Sequence, residues 1–454
     1  MRCSLRRTIQ SNSLDSDALK NALELSKVSF DWKFVACQAA LLMGILIFQN
    51  VALGAILSLS MYFLWQKRRN RREAVVALFV FACVLASSRE GGLQYWKIWR
   101  LFFAFLVVLE AVRVFKTMTK AQRQNSLGFA LLVVLCTGVP ALLSDHVAEG
   151  LEEMVLLASM WWAMTVLGVP DSSEASAVRF STLVHAGVVV VLVSVFGSIV
   201  DFDLAHLGGR FRGIFGNPNE FSHWWLTLFV MGMVASKKMA SPRTMLLILA
   251  TLALFLWSGT RGAMIAALLS LMGWFLQGRD TSISSRLSKL LLVAVGIFAL
   301  AAVSMESVLN FLPERVVRRE SLIEGGGRLL AWEHAVDQIE EQPWLGNGGG
   351  AEERFFRENY SFFAAQNHQG LSHNSWLAFA MNFGVPATVL LFVALLSRLG
   401  LLQRRLLLVG LLPLVVSFTL EGWLTAPMSS SSPMLFFVGA LIPHLGLSGM
   451  EREP

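Results

Sequence analysis

Apolar runs of about 15 to 20 residues, the length that a hydrocarbon core roughly 30 Å thick asks of a spanning helix, recur from residue 34 to residue 446. No other feature limits the folding of this chain so strongly. Inside lipid every backbone polar group must be satisfied within its own segment, which leaves the helix as the natural form for such runs. Charged residues make up only 15% of the 454, where a soluble domain carries about 25%. The sequence therefore predicts an all-α polytopic membrane protein. The runs are spread evenly, so one bundle is expected rather than a string of domains.

Residues 34–65 form one apolar stretch broken by Gln49-Asn50. A single helix of that length would reach about 48 Å, too long for a bilayer, so two short helices are expected there. Further spans are expected at 74–88, 101–115, 126–143, 153–168, 180–200, 222–235, 244–258, 262–277, 289–305, 374–397, 405–420 and 432–446. That makes about fourteen; about twelve spans with two re-entrant or interfacial segments fit the same pattern.

The net charge of +7 does not point to nucleic acid. The basic residues cluster in short loops beside apolar runs, as in QKRRNRRE (66–73), KKMASPR (237–243) and RLGLLQRR (398–405). That is the pattern by which Lys and Arg mark the cytoplasmic side, and a basic face interleaved with aromatics is missing. With the N-terminus inside, the loops at 116–123, 236–243, 278–289 and 398–405 fall inside, and the acidic stretch 145–153 falls outside. Residues 1–33 read as a cytoplasmic tail, in which 16–28 forms either a short amphipathic helix or a disordered segment. Cys3, Cys37, Cys83 and Cys136 show neither metal spacing nor a long polar loop for a disulfide, and free thiols are expected.

The same count places three polar segments together outside: 201–222, 258–262 and the long stretch 306–372. Loops this long are functional or disordered. Residues 328–342 space Leu329, Trp332, Val336 and Ile339 as one apolar stripe, and PWLGNGGG (343–350) ends it with helix breakers. A folded helical cap on the membrane is expected. The boundaries are thus 1–33 tail, 34–305 bundle, 306–372 outer loop and 373–454 C-terminal helices.

Arginines gather on that outer side: Arg210, Arg212, Arg261, Arg315, Arg318, Arg319 and Arg328. Arginine keeps its charge and grips phosphate through two parallel hydrogen bonds, although one at a membrane edge also snorkels to headgroups. Arg261 is the sharper case, since it lies between two apolar runs with only Ser, Gly and Thr around it. In RFRGIFGNPNEFSHWW, Gly213 and Gly216 allow close backbone approach, and Asn217-Pro218-Asn219 turns the chain into a helix that Asn219 either caps or leaves free for a ligand. His223 reads as a packed residue. His373, in GLSHNSW, has the chemistry of a general base, while Ser372 or Asn374 caps the helix that follows. No metal-binding motif of the HExxH kind occurs. The triplet Asp201-Phe202-Asp203 is a weak DxD-like signal. There is no Walker A loop, and no nucleophile-elbow serine.

Four segments taken in order, RFRGIFGNPNEFS, SGTRGAMIAALLS, GRLLAWEHAVDQIEEQPWLGNGGG and LSHNSWLAFAMNFGVPATVLLF, resemble the O-antigen ligase/polymerase superfamily over roughly residues 180 to 400. The resemblance implies a multispanning glycosyltransferase of the GT-C type in the bacterial inner membrane. It implies a glycan donor on undecaprenyl diphosphate, a periplasmic active site, an acceptor that is lipid A-core or another glycan, and no cofactor or metal. By motif the family's working residues fall on Arg212, with Arg210 the close alternative, and on Arg261, Arg328 and His373. Asn217, Asn219 and Asn374 are the further candidates for holding substrate. The motifs are shared by ligases and polymerases and do not choose between them. A lipid-linked glycan flippase or secondary transporter is the competing class, against which stand the lack of an internal repeat and the long outer loop.

Overall fold

The structure is a computed structural model. It describes residues 71–87, 96–169, 190–199, 202–235, 242–276, 328–366, 370–398 and 412–425, with the single positions Gly187, Val409, Gly410, Ser432, Leu435 and Phe436. The expected N-terminal tail, the paired helices over 34–65, the span at 289–305, Arg315, Arg318, Arg319, Asp201, Cys3 and Cys37 lie outside the described residues, as does most of 432–446.

The structure is mostly helical, at 83%. In chain order the helices are α1 (Arg71–Ser87), α2 (Trp96–Thr117), α3 (Lys120–Leu143), α4 (Val147–Gly168), α5 (Val190–Ile199), α6 (Phe202–Ala205), α7 (Pro218–Ala235), α8 (Pro242–Ser258), α9 (Arg261–Leu276), α10 (Arg328–Glu341), α11 (Ala351–Glu358), α12 (Tyr360–Ala365), α13 (Ser375–Phe383), α14 (Val385–Arg398) and α15 (Leu412–Leu420). A 3₁₀ turn at Trp423–Thr425 follows. Helices α3 and α4 are long and apolar enough to cross a membrane. The outward side of α3 carries Leu127, Leu131, Leu135, Leu142 and Leu143, all exposed. Water would oppose so continuous an apolar face; lipid would accept it.

The helix expected over 328–342 stands where it was expected, but its buried face does not. Leu329 and Val336 are exposed, whereas Ala331 and Ala335 are fully buried. Ala331 packs with Phe356 and Phe363 into a small core that belongs to the loop alone, so the alanines mark the side of close helix approach. The acidic stretch 145–153 is not a loop: α4 already begins at Val147. Its Glu153 accepts from Gly350 N at 2.6 Å and from Asn382, which ties the start of α4 to the glycine-rich turn of the cap. The expected span 374–397 is two helices, broken at Gly384. The all-α expectation misses one small antiparallel hairpin, β1 (His206–Leu207) and β2 (Arg210–Phe211). Gly208 and Gly209 turn it at φ of 56° and 72°, as the tight two-residue hairpin turn requires.

Helix α13 is the joint of the structure. It packs against α3, α10, α11, α14, α15 and the 3₁₀ turn, and Phe379 and Phe383 fill the core from its inner side. The described thiols, Cys83 and Cys136, are free and buried.

Candidate functional site

Several helices start at one place. Asn217 caps α7, its Oδ1 accepting from Glu220 N at 2.9 Å. The cap is therefore Asn217 and not Asn219, whose side chain is left to bond Arg210 and Glu421. Asn374 caps α13 by accepting from Trp376 N and Leu377 N, and Ser372 does not. Thr260 precedes α9, which opens at Arg261, and α10 opens at Arg328. Helix starts carry partial positive charge and unpaired N–H groups, and so favour anions.

Arg210 leaves the hairpin toward this cluster. Phe211 stacks on Trp257 at 4.1 Å and fixes the hairpin against α8. Arg210 then donates from Nε to Ser258 O at 2.7 Å and from Nη2 to Asn219 Oδ1 at 2.9 Å and Thr260 Oγ1 at 3.1 Å. Arg212 turns inward instead. It is buried, and donates to Gly216 O at 3.4 Å and Asp203 O at 3.2 Å. The structure thus places Arg210 in the cluster and Arg212 in the packing beneath the hairpin. Arg261 is half-buried at the head of α9. Its neighbour Gly262 lies so close to Leu420 that a Cβ there would come within 3.3 Å.

One carboxylate joins these parts. Glu421, just past the end of α15, is 7% exposed. Its Oε1 accepts from Arg328 Nη2 at 2.6 Å and from Asn219 Nδ2 at 2.9 Å, and its Oε2 faces His373 Nδ1 at 3.2 Å. Arg328 also donates to Leu420 O at 2.7 Å, satisfying a carbonyl that the helix end would leave open. With Glu421 ionised, a neutral His373 carries its proton on Nδ1 and keeps a lone pair on Nε2. A Cβ on the exposed Gly370 would stand 2.9 Å from that Nε2, so a larger residue there would press on this edge of the ring. His373 and Arg328 are each about one-third exposed as side chains, whereas the carboxylate between them is not.

Burial alone would raise the Glu421 carboxyl. The His373 hydrogen bond and the charges of Arg328 and His373 outweigh it and lower the carboxyl from 4.5 to about 2. A depressed carboxyl contributes stability above its unfolded value, and that contribution is lost as pH falls through the folded one. Thermal unfolding between about pH 5 and about pH 2 is expected to fall more steeply for the native protein than for Glu421→Gln; superimposable acid limbs would remove Glu421 from this role. In the cap, burial pushes the Glu352 carboxyl up against the donations from Ser372.

Fold and site together define a helical protein with membrane-competent helices and a polar centre of arginines and a carboxylate–histidine pair at converging helix starts. Such a centre is suited to an anionic ligand and to taking up a proton. Residues 245–392 match the family model described as O-antigen ligase, which supports the superfamily that the motifs resemble. The match supports activity of the O-antigen ligase or polymerase type in general, in a family of bacterial inner-membrane proteins. No curated protein matches the chain. The matched region includes Arg261, Arg328 and His373, while Arg210, Asn219 and Glu421 lie outside it.

Sequence reasoning missed Glu421, Thr260 and Ser258. For Glu421 a signal existed: it is a lone carboxylate closing the apolar run LLPLVVSFTL, and an ionisable group at such a place is a functional candidate.

Proposed function

We propose that this protein is a metal-independent, inverting membrane glycosyltransferase of the O-antigen ligase type. It would take a glycan from an undecaprenyl-diphosphate donor on the periplasmic face of the bacterial inner membrane. The acceptor is a hydroxyl of lipid A-core or, in the polymerase variant of the same reaction, of another glycan. The chain would cross the membrane as a GT-C-like bundle of about 12–14 helices, with the 328–366 cap over the sugars.

The observation that carries this reading is the Glu421–His373 pair set beside Arg210 and Arg328 where helix starts converge. In the reaction, His373 Nε2 takes the proton of the acceptor hydroxyl while Glu421 holds the imidazole by Nδ1–H. The hydroxyl oxygen forms its bond to the anomeric carbon as the bond from that carbon to the diphosphate oxygen breaks. Undecaprenyl diphosphate departs with the electron pair, and the configuration inverts. Arg210, Arg261 and the helix starts stabilise the charge that develops on the leaving diphosphate. Arg328 contributes as well, through the face not held by Glu421.

Transfer from a lipid-diphosphate donor in membranes is the direct test. His373→Ala and Arg261→Ala are each expected to lower it at least about 100-fold, the size of a lost proton acceptor or of one electrostatic donor. Full activity in both would overturn these assignments. A deletion strain separates the acceptors. Polymer left on its lipid carrier with bare lipid A-core marks a ligase, and accumulated single repeat units mark a polymerase. Donor lipid crossing liposomes chemically unchanged would favour transport instead.

A further inference from the structure

His373 is the one non-glycine residue with positive φ among the described residues, at 52°. An L side chain in that region costs roughly 1 kcal/mol or more, and such strain persists only where the surroundings over-determine it. The chain is held on both sides of the histidine. After it, Asn374 caps α13, and Ser375 Oγ donates to Glu421 O at 2.9 Å. Before it, Ser372 has no exposed surface, and each of its polar groups is engaged. Its N–H and Oγ–H donate to Glu352 Oε1 at 2.9 and 2.5 Å. Its carbonyl accepts from Trp332 Nε1 at 2.7 Å. Glu352 is fixed in turn, its backbone N–H donating to Asn382 Oδ1 at 3.0 Å.

These contacts come from α10, α11 and α13, so the cap itself grips the residue before the histidine. We propose that Glu352 is a positioning residue for His373, holding Ser372 so that the imidazole is aimed at Glu421 with its other nitrogen toward the acceptor. The inference rests on the proton-accepting role of His373 given above. A carboxylate that merely filled space in the cap would have no reason to collect both donors of the one residue that precedes a strained histidine. Both donations reach the same oxygen, so an amide at this position keeps the acceptor that matters and alanine does not.

The test uses the full chain in membranes, with turnover and donor KM measured separately. Glu352→Ala is expected to lower turnover about 10- to 100-fold with donor KM little changed, because a mispositioned group loses transition-state stabilisation without losing ground-state binding. Glu352→Gln is expected to restore most of that loss. In a His373→Ala background, Glu352→Ala is expected to add nothing, since groups acting as one unit are not additive. Native turnover in Glu352→Ala, or the same fold-loss repeated without His373, would overturn the inference. If His373→Ala itself is fully active, the catalytic reading fails rather than the positioning one. Should Glu352→Ala not accumulate, Trp332→Phe removes only the donation to the Ser372 carbonyl, and Ser372→Ala only the hydroxyl. Both are then expected to lower turnover with unchanged KM, and native turnover in both would overturn the inference equally.

Discussion

Glu421→Gln is expected to abolish glycan transfer while leaving the protein folded. The amide keeps an oxygen that accepts from Arg328 Nη2 and Asn219 Nδ2, the two bonds made by Oε1. The position of Oε2 becomes an NH₂ facing His373 Nδ1, now 3.2 Å from a carboxylate oxygen. Two donors cannot share that contact, so the imidazole adopts the tautomer with its lone pair on Nδ1 and its proton on Nε2. The edge beside Gly370 then carries a hydrogen where a base is needed. Replacing the orienting carboxylate of a Ser-His-Asp triad by an amide costs about 10⁴ in turnover for this reason, and a loss of roughly 10³ to 10⁴ is expected here. Glu421→Ala is expected to lose activity to the same degree and stability as well. It removes the carboxylate to which Arg328 Nη2 and Asn219 Nδ2 donate and leaves Arg328 only the Leu420 carbonyl, at roughly 1–3 kcal/mol for a charge that is partly solvated. Donor binding and transfer rate, measured for both variants with thermal unfolding in the same detergent, separate the effects. A Gln variant with turnover near native would mean that His373 does not act as the proton acceptor.

That one carboxylate shows where local reading of a sequence ends. Helices α7 to α9 were legible because each has its own mark: Pro218 and Pro242 stand at first helical positions, and Arg261 follows the breaker Gly259. The helix at 328–342 was legible from its spacing, and it ends within a residue of that range at Glu341. Its orientation was not, because the fully buried side is marked by the small Ala331 and Ala335 rather than by the large apolar residues of the stripe. Arg261 was legible as an ionisable group between apolar runs, and Arg328 and His373 as candidates by the motifs in which they stand. The meeting of Arg328, His373 and Asn219 at one carboxylate was not, since Glu421 stands 93, 48 and 202 positions from them, and no periodicity registers such a set. Nor could spacing choose between Arg210 and Arg212. Arg210 lies in β2 and Arg212 just past its end, and the bond of Arg210 Nε to Ser258 O, beside the stack of Phe211 on Trp257, sets which of them meets the helix starts. A search led by the positive charge that a diphosphate requires looks past the negative charge that orients a base.

Gly384→Ala is expected to be among the most destabilising single changes in the described structure, at roughly 3–5 kcal/mol. Gly384 has φ 81° and ψ 163°, a region that only glycine occupies readily. A Cβ there would stand 2.4 Å from the carbonyl oxygen of Trp344, and backbone cannot swing aside as a side chain can. The opposing Gly346 is as closely placed, its Cβ position lying 2.6 Å from Gly384 N. The chain bonds across this contact, Val385 N donating to Pro343 O at 2.9 Å and Asn347 N to Met381 O at 2.8 Å. The cap is therefore seated backbone to backbone on the break between α13 and α14. The substitution has to part the two, and with them goes the seat of α13, whose first turn carries Asn374 and Ser375 beside Glu421. Accelerated proteolysis within 328–366 is expected, together with lost transfer and retained membrane insertion. A conservative change at an exposed apolar position of α14, such as Val389→Leu, is expected to do neither. If Gly384→Ala unfolds at the native temperature and resists protease equally, the cap is held by other contacts, and the site's dependence on this seat is wrong.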